Sequence, residues 1–201
     1  MNIFDKNYVK DKKRASIVQT AGKLFCSVGY RNVSIDDIGR ELGLAKTIIY
    51  YYFENKADLF RCCHELATHL LEEAFEQTDQ DDPVEHLRQF IERYVVSLIG
   101  PDSPGAVLLD VELLPEVDRD EIVARREVVY KKLRRLIGKM RERRLVRDVD
   151  PKLTVLTMMG AINIIPKWYS AEGHWSPELV ADYHAALFVG WLTMDKWRNR
   201  P

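Results

Sequence analysis

The sequence predicts an all-α protein, with a small helical domain over residues 1–60 and a larger helical domain over residues 61–201. Three observations carry that expectation. Apolar residues recur at three- and four-residue steps along nearly the whole chain, the repeat of helices that bury one stripe. No segment alternates apolar and polar residues with the period of two that a half-buried strand requires. Between longer helices, the first domain also holds two very short helical stretches joined at a glycine. Apolar residues make up 46% of the chain and charged residues 30%, which favours a packed core over wholesale disorder.

Ile17, Ala21, Leu24, Phe25 and Val28 form one stripe on a first helix of about 17 residues, closed by Gly29. Ser34 starts the second helix, with Asp37 three residues on in capping-box position, and Gly43 stops it. A third short helix covers about 45–52, and Lys56 opens a long one to Gln77. The polar stretch Thr78–Pro83 is a loop whose proline suits a first helical turn. A fifth helix follows, with Leu87, Phe90, Ile91, Tyr94 and Leu98 on one side. After the loop Gly100–Gly105 comes a short helix at about 105–114, then a long one at about 118–144. The last two helices cover about 151–169 and 176–197, either side of a loop at Glu172–His174.

The formal charge of −1 is unevenly spread: residues 1–60 carry a net of +3 and the rest a net of −4, as suits a protein that meets a polyanion at one end. The cysteines Cys26, Cys62 and Cys63 are odd in number and two are adjacent, a poor disulfide framework that points to a reducing compartment. With no signal-like N-terminus and no run near the roughly 18 apolar residues of a membrane span, the expectation is a soluble, cytoplasmic chain without a membrane partner. Catalytic readings find little support. His64 and His69 lie five residues apart, about 140° round a helix, so Cys62-Cys63-His64 completes no metal quartet. No nucleophile elbow, phosphate-binding loop or dinucleotide fingerprint occurs, and neither enzyme activity nor a cofactor or metal is expected.

In the N-terminal domain Gly39 sits where the two short helices cross, Gly43 makes the turn, and Ile38, Leu42, Leu44, Ile49 and Tyr52 face inward. The run Val33-Ser34-Ile35-Asp36-Asp37-Ile38-Gly39-Arg40-Glu41-Leu42-Gly43-Leu44 and the run from Tyr50-Tyr51-Tyr52-Phe53 through Lys56 to Phe60 together resemble the TetR family of transcription regulators. The resemblance implies a helix-turn-helix domain that binds an operator in double-stranded DNA, and a variable C-terminal domain for effector binding and dimerisation. It directs Lys46, Thr47 and Tyr50 into the major groove. Tyr51, Tyr52, Lys56 and the helix start at Ser34 then meet phosphates. Tyr52 is equally read as a core aromatic. Lys10, Lys12, Lys13 and Arg14 form either a basic arm that reaches the DNA or a solvated, frayed terminus. Ala45 stands where the family carries a Ser or Thr cap, and Thr47 where glycine is common, which bears on the choice of operator.

The resemblance also implies a homodimer through the last two helices. Val180, Tyr183, Leu187, Trp191 and Met194 recur at helical steps on the final one, and Leu179, Phe188 and Leu192 widen the stripe. The segment Asn163 to Gly173, with Trp168-Tyr169, resembles the branch of the family that responds to CoA thioesters, although Pro166 departs from its pattern. A small-molecule effector, an acyl-CoA or an acid, is expected in a cavity lined by Phe90, Tyr94, Trp168 and Tyr169; plain core packing is the competing account of those aromatics. A cationic drug held by Asp110, Glu112 or Glu127 is the other effector class. From Arg125 to Arg147 there are eleven Lys/Arg against two Asp/Glu, read as a phosphate-facing stretch or, for most of these residues, a solvated face. The expected function is a homodimeric repressor released from a palindromic operator by its effector. The alternative is a DNA-bound dimer that takes no small ligand and recruits another protein.

Overall fold

The computed structural model of the chain describes residues 6–78, 81–100, 103 and 110–194, and among them no strand occurs. The helices are α1 (Lys6–Val28), α2 (Ile35–Leu42), α3 (Lys46–Tyr52), α4 (Lys56–Glu76), α5 (Pro83–Ile99), α6 (Glu116–Glu142), α7 (Pro151–Asn163), α8 (Ile165–Trp168) and α9 (Pro177–Thr193). They form two compact units, one from Met1–Ala67 with Ser103–Ile122, the other from Thr68–Asp102 with Val123–Pro201.

The first unit is organised by one core. Ile17, Val18, Ala21 and Phe25 of α1 meet Ile35 and Ile38 of α2, Ile49 of α3, Phe53, and Leu59, Phe60, Cys62 and Cys63 of α4. Leu114 and Ile122 join the same core, which is why a later piece of chain belongs with the N-terminal residues. Of the stripe expected on α1, Val28 is exposed instead, because Gly29 at φ 94° turns the chain away just behind it. The helix itself is longer than its apolar stripe implies and takes in Lys10, Lys12, Lys13 and Arg14, which are therefore helical. Arg14 holds that turn in place: its guanidinium lies 5.1 Å from the centre of the Phe53 ring and donates to Cys62 Sγ at 3.1 Å.

In the second unit α5 lies along α9, and both of its neighbouring faces are apolar: Leu87, Phe90, Ile91, Tyr94 and Leu98 on α5, Val180, Ala181, Ala185, Val189 and Leu192 on α9. Val129, Leu133, Ile137 and Met140 of α6 and Val155, Met158, Met159 and Ile162 of α7 are also buried. The single helix expected over 151–169 is two. α7 ends at Asn163 and a four-residue helix restarts at Ile165, because Pro166 has no N–H to donate to the preceding turn. The short helix expected at about 105–114 lies partly on residues 104–109, outside the described residues; the described remainder is a 3-10 turn, Val111–Leu113, behind Asp110 at φ 63°. The end of the final helix expected to 197 likewise lies outside the described residues beyond Met194. No helix among the described residues is long and apolar enough to cross a membrane.

Candidate nucleic-acid interface

The turn between α2 and α3 is built by two glycines with different tasks. Gly43 adopts the left-handed conformation, φ 63° and ψ 30°, and its N–H closes on the carbonyls of Arg40 and Gly39. Gly39 is buried at the helix crossing, where an added Cβ would stand 2.7 Å from the Leu44 carbonyl oxygen. Leu44 N–H donates to Gly39 O at 2.8 Å, so backbone meets backbone there and no side chain fits. α2 is started by a complete capping box: Asp37 N–H donates to Ser34 Oγ at 3.1 Å, and Ser34 N–H donates to Asp37 Oδ2 at 2.8 Å. Ser34 Oγ donates to the same oxygen at 2.6 Å. These bonds, with Arg40 at 2.9 Å, hold the Asp37 carboxyl down at about 2.

α3 presents one face to solvent. At about 100° per residue, Lys46, Thr47, Tyr50 and Tyr51 fall within an arc of about 140°. All four are exposed, Tyr51 by 69%, while Ile49 on the far side is wholly buried. Lys46 Nζ donates to Asp36 Oδ2 at 2.7 Å and lies 6.0 Å from the Tyr50 ring centre, so the start of α3 is tied back to α2. Lys10 sits over the Tyr51 ring at 5.4 Å, bringing α1 to the edge of the same face. Ala45 makes no side-chain cap, as expected from its methyl group. Such a face, aromatic and hydroxyl-bearing with cations at its edge, matches the chemistry of duplex recognition, in which Lys and Tyr reach phosphates and helix side chains read base edges.

Three further sequence candidates make contacts within the fold. Tyr52 is half-buried against the first-unit core, next to Phe53, which is the aromatic that is fully inside. The Ser34 hydroxyl is occupied by Asp37. Lys56 is half-buried, donates to the Tyr30 carbonyl and lies 4.2 Å from the Tyr30 ring centre. Burial lowers its pKa below the ordinary lysine value, against the opposing pull of Asp37. The Asp36–Lys46 pair and the Lys10–Tyr51 contact were not singled out from sequence, since opposite charges ten residues apart have no local signature.

In the second unit, the four aromatics expected around one cavity are separated. Phe90 and Tyr94 stack at 5.7 Å and are wholly buried. Trp168 is instead exposed and helps line a cavity of about 520 Å3 with Trp175, Leu179, Val180, Tyr183 and His184. Tyr169 donates to the Trp175 carbonyl at 3.2 Å. The Tyr94 hydroxyl donates to Asn163 Oδ1 at 3.2 Å, Asn163 Nδ2 donates to the Tyr130 hydroxyl at 3.3 Å, and Arg126 Nε donates to Thr68 Oγ1 at 3.0 Å. Tyr94 and Tyr130 both act electrostatically on the Arg126 guanidinium, whose pKa is lowered by burial. This partly buried polar cluster was missed because its members are scattered along the sequence. On α9, Tyr183, Leu187 and Trp191 are exposed, with Leu179 and Met194 beside them, whereas Val180 is buried. Leu153 and Leu156 of α7 are exposed as well. Of the candidate drug-binding carboxylates, Glu127 is paired with Arg134.

Comparison with known proteins gives two family matches. "Bacterial regulatory proteins, tetR family" matches residues 17–63, and "Tetracyclin repressor-like, C-terminal domain" matches residues 80–192. Among solved structures, PfmR of Thermus thermophilus, a TetR family transcriptional regulator, is 27% identical with a TM-score of 0.74, covering 87% of this chain and 97% of that one. AibR in complex with isovaleryl coenzyme A and operator DNA is 26% identical with a TM-score of 0.73, over the same shares of 87% and 97%. The negative transcriptional regulator IcaR of the biofilm operon of Staphylococcus aureus (strain Newman) is 24% identical over 94 residues, 45% of this chain. The chain spans about half the length of the curated relatives it matches, 47% for IcaR.

Proposed function

The chain belongs to the TetR family of transcription regulators, and we propose that it acts as a homodimeric repressor that leaves a palindromic operator when a small acidic effector binds. One observation carries the operator part: Lys46, Thr47, Tyr50 and Tyr51 share the single solvent-facing side of α3, fixed by the Gly39–Gly43 turn. Thr47 and Tyr50 read bases, and Lys46, Tyr51 and Lys10 hold the backbone. Ser34 and Lys56 act here by fixing the domain that presents this face.

Two-fold symmetry of the operator asks for two reading helices, hence two chains. The exposed Tyr183, Leu187 and Trp191 of α9 and Leu153 and Leu156 of α7 support a seam between them, since so many large apolar side chains seldom face water without a partner. That AibR is described with isovaleryl coenzyme A and operator DNA supports an acyl-CoA or related acid as effector. Within this chain the support is the polar cluster of Arg126, Tyr94, Tyr130 and Asn163, a half-buried cation near hydroxyl and amide groups. To switch the population from about 1:99 to 99:1, the effector must favour the released state by about 5.5 kcal/mol. A second reading, a dimer that recruits another protein, is favoured by the filled interior at Phe90 and Tyr94.

Release from a fluorescent operator, followed by anisotropy against panels of acyl-CoAs, free acids and cationic dyes, decides among them. Release by a CoA thioester or acid is expected. Release by dyes alone contradicts the effector class, and release by nothing in the panels favours the recruiting dimer.

A further inference from the structure

The basic helix α6 carries its charge in two kinds of place. Some cations are neutralised within the fold. Arg125 grips Glu72 with two bonds at 3.1 and 2.6 Å, Arg134 pairs with Glu127, and Arg141 lies 3.9 Å from Asp148. Lys132, Arg135, Lys139 and Arg143 are arranged otherwise. Lys132, Arg135 and Lys139 fall within an arc of about 60° over about 10 Å of helix axis, and Arg143 follows just past the helix end. All four line one cavity of about 360 Å3, floored by Phe75 and Leu136. Glu76 and Asp81 reach the same cavity, and Glu76 is engaged by Lys132, so four cations face two carboxylates. Arg135, Lys139 and Arg143 have no ion pair among the described residues.

Like charges one turn apart on a helix repel one another. Arg135, Lys139 and Arg143 are exposed and Lys132 is half-buried, and all four line one hollow, so an anion seated there meets them together. The charge that relieves their repulsion there is an anion with several negative groups in a row. Guanidinium groups, with paired donors in one plane, favour phosphate oxygens, and a lysine between them adds a point charge. The two carboxylates in the wall restrict the length of anion that fits, which favours a short one over a nucleic-acid strand.

We propose that this groove is a binding site for a small multiply phosphorylated anion, held by Arg135, Lys139 and Arg143. The inference does not depend on the operator reading, and it meets the effector reading only if coenzyme A is the anion bound. Free polyphosphate, a nucleotide and coenzyme A all carry the required chemistry.

Isothermal titration calorimetry on the full chain tests it, with tripolyphosphate, ATP and coenzyme A in separate titrations and orthophosphate and an operator-free duplex as comparisons. One tripolyphosphate is expected to bind per chain, more weakly as salt rises. The double variant Arg135→Glu/Lys139→Glu, at unchanged circular dichroism, is expected to bind at least tenfold more weakly. Should that variant not fold, Arg143→Gln alone is expected to weaken binding about threefold. Tighter binding of ATP or coenzyme A than of tripolyphosphate supports the site and identifies the source of its phosphates. No saturable binding of the three, equal affinity in the folded variant, or stronger binding of the duplex at these residues overturns the proposal. Operator affinity measured without added anion reports separately on the operator reading, so the two fail independently.

Discussion

Replacing Gly39 by alanine adds a single methyl group at the point where α2 crosses α3. The new Cβ would stand 2.7 Å from the Leu44 carbonyl oxygen, and ordinary contact begins at 3.4 Å, so about 0.7 Å of backbone movement is needed. That oxygen belongs to the residue whose N–H donates to Gly39 O at 2.8 Å, and moving it strains the bond that closes the turn. Alanine gains about 1 kcal/mol in helix propensity, which a weakened hydrogen bond of about 1 kcal/mol offsets. Overpacking remains, and Gly39→Ala is expected to destabilise the first unit by about 1–3 kcal/mol. Gly43 is the control, because nothing lies within 4 Å of an added Cβ there and only its φ of 63° opposes alanine. That conformation costs about 1 kcal/mol, so Gly43→Ala is expected to be the milder variant. Urea unfolding of both, followed by circular dichroism, measures the difference, and operator anisotropy shows whether the reading face is lost with it. A Gly39→Ala protein as stable as Gly43→Ala would refute the account of the crossing.

Lys56→Ala removes the ammonium over Tyr30 and its bond to the Tyr30 carbonyl, and is expected to lower stability by about 1 kcal/mol. A flattened salt dependence of operator binding with unchanged stability would instead make Lys56 a phosphate contact. Leu187→Glu puts a charge on the exposed α9 face and is expected to cost roughly 3 kcal/mol of association, about a hundredfold in the dimer dissociation constant, read by sedimentation; folded variant dimers as tight as wild type would place the seam elsewhere. The Asp37 carboxyl titrates lower when folded, at about 2 against 3.8, so its contribution to stability is complete above about pH 4 and lost as the pH falls toward 2. The stability gap between wild type and Asp37→Asn should therefore narrow over that range in urea unfolding, and a gap that widens on acidification contradicts the capping box.

Much of the N-terminal unit is legible in the sequence because its signals are local. The Ser34–Asp37 box, the left-handed Gly43 and the missing cap at Ala45 each depend on residues within one turn, and each stands where spacing alone places it. Gly39 is legible for a different reason, since a glycine inside an apolar helical pattern implies close approach of another backbone. What fails is knowledge of which way a polar side chain turns. Lys56 follows an aromatic run, and nothing local shows that the Tyr30 carbonyl, 26 positions away, claims its ammonium. Phe90, Tyr94, Trp168 and Tyr169 share a residue type but not a place: the break that Pro166 makes after Asn163 sets Trp168 on the surface, while Phe90 and Tyr94 follow the buried stripe of α5. Val180 shows the same limit on α9, where the buried and exposed stripes are both apolar and periodicity cannot tell them apart.

The central claim, that the exposed face of α3 reads a two-fold symmetric operator, is tested most directly by selecting genomic fragments on the purified chain and sequencing those retained. The account predicts one enriched site with two inverted half-sites about one helical turn apart, and a changed half-site preference for Thr47→Ala and Tyr50→Ala. No enriched sequence, or the same sequence retained with equal affinity by both variants, would contradict it.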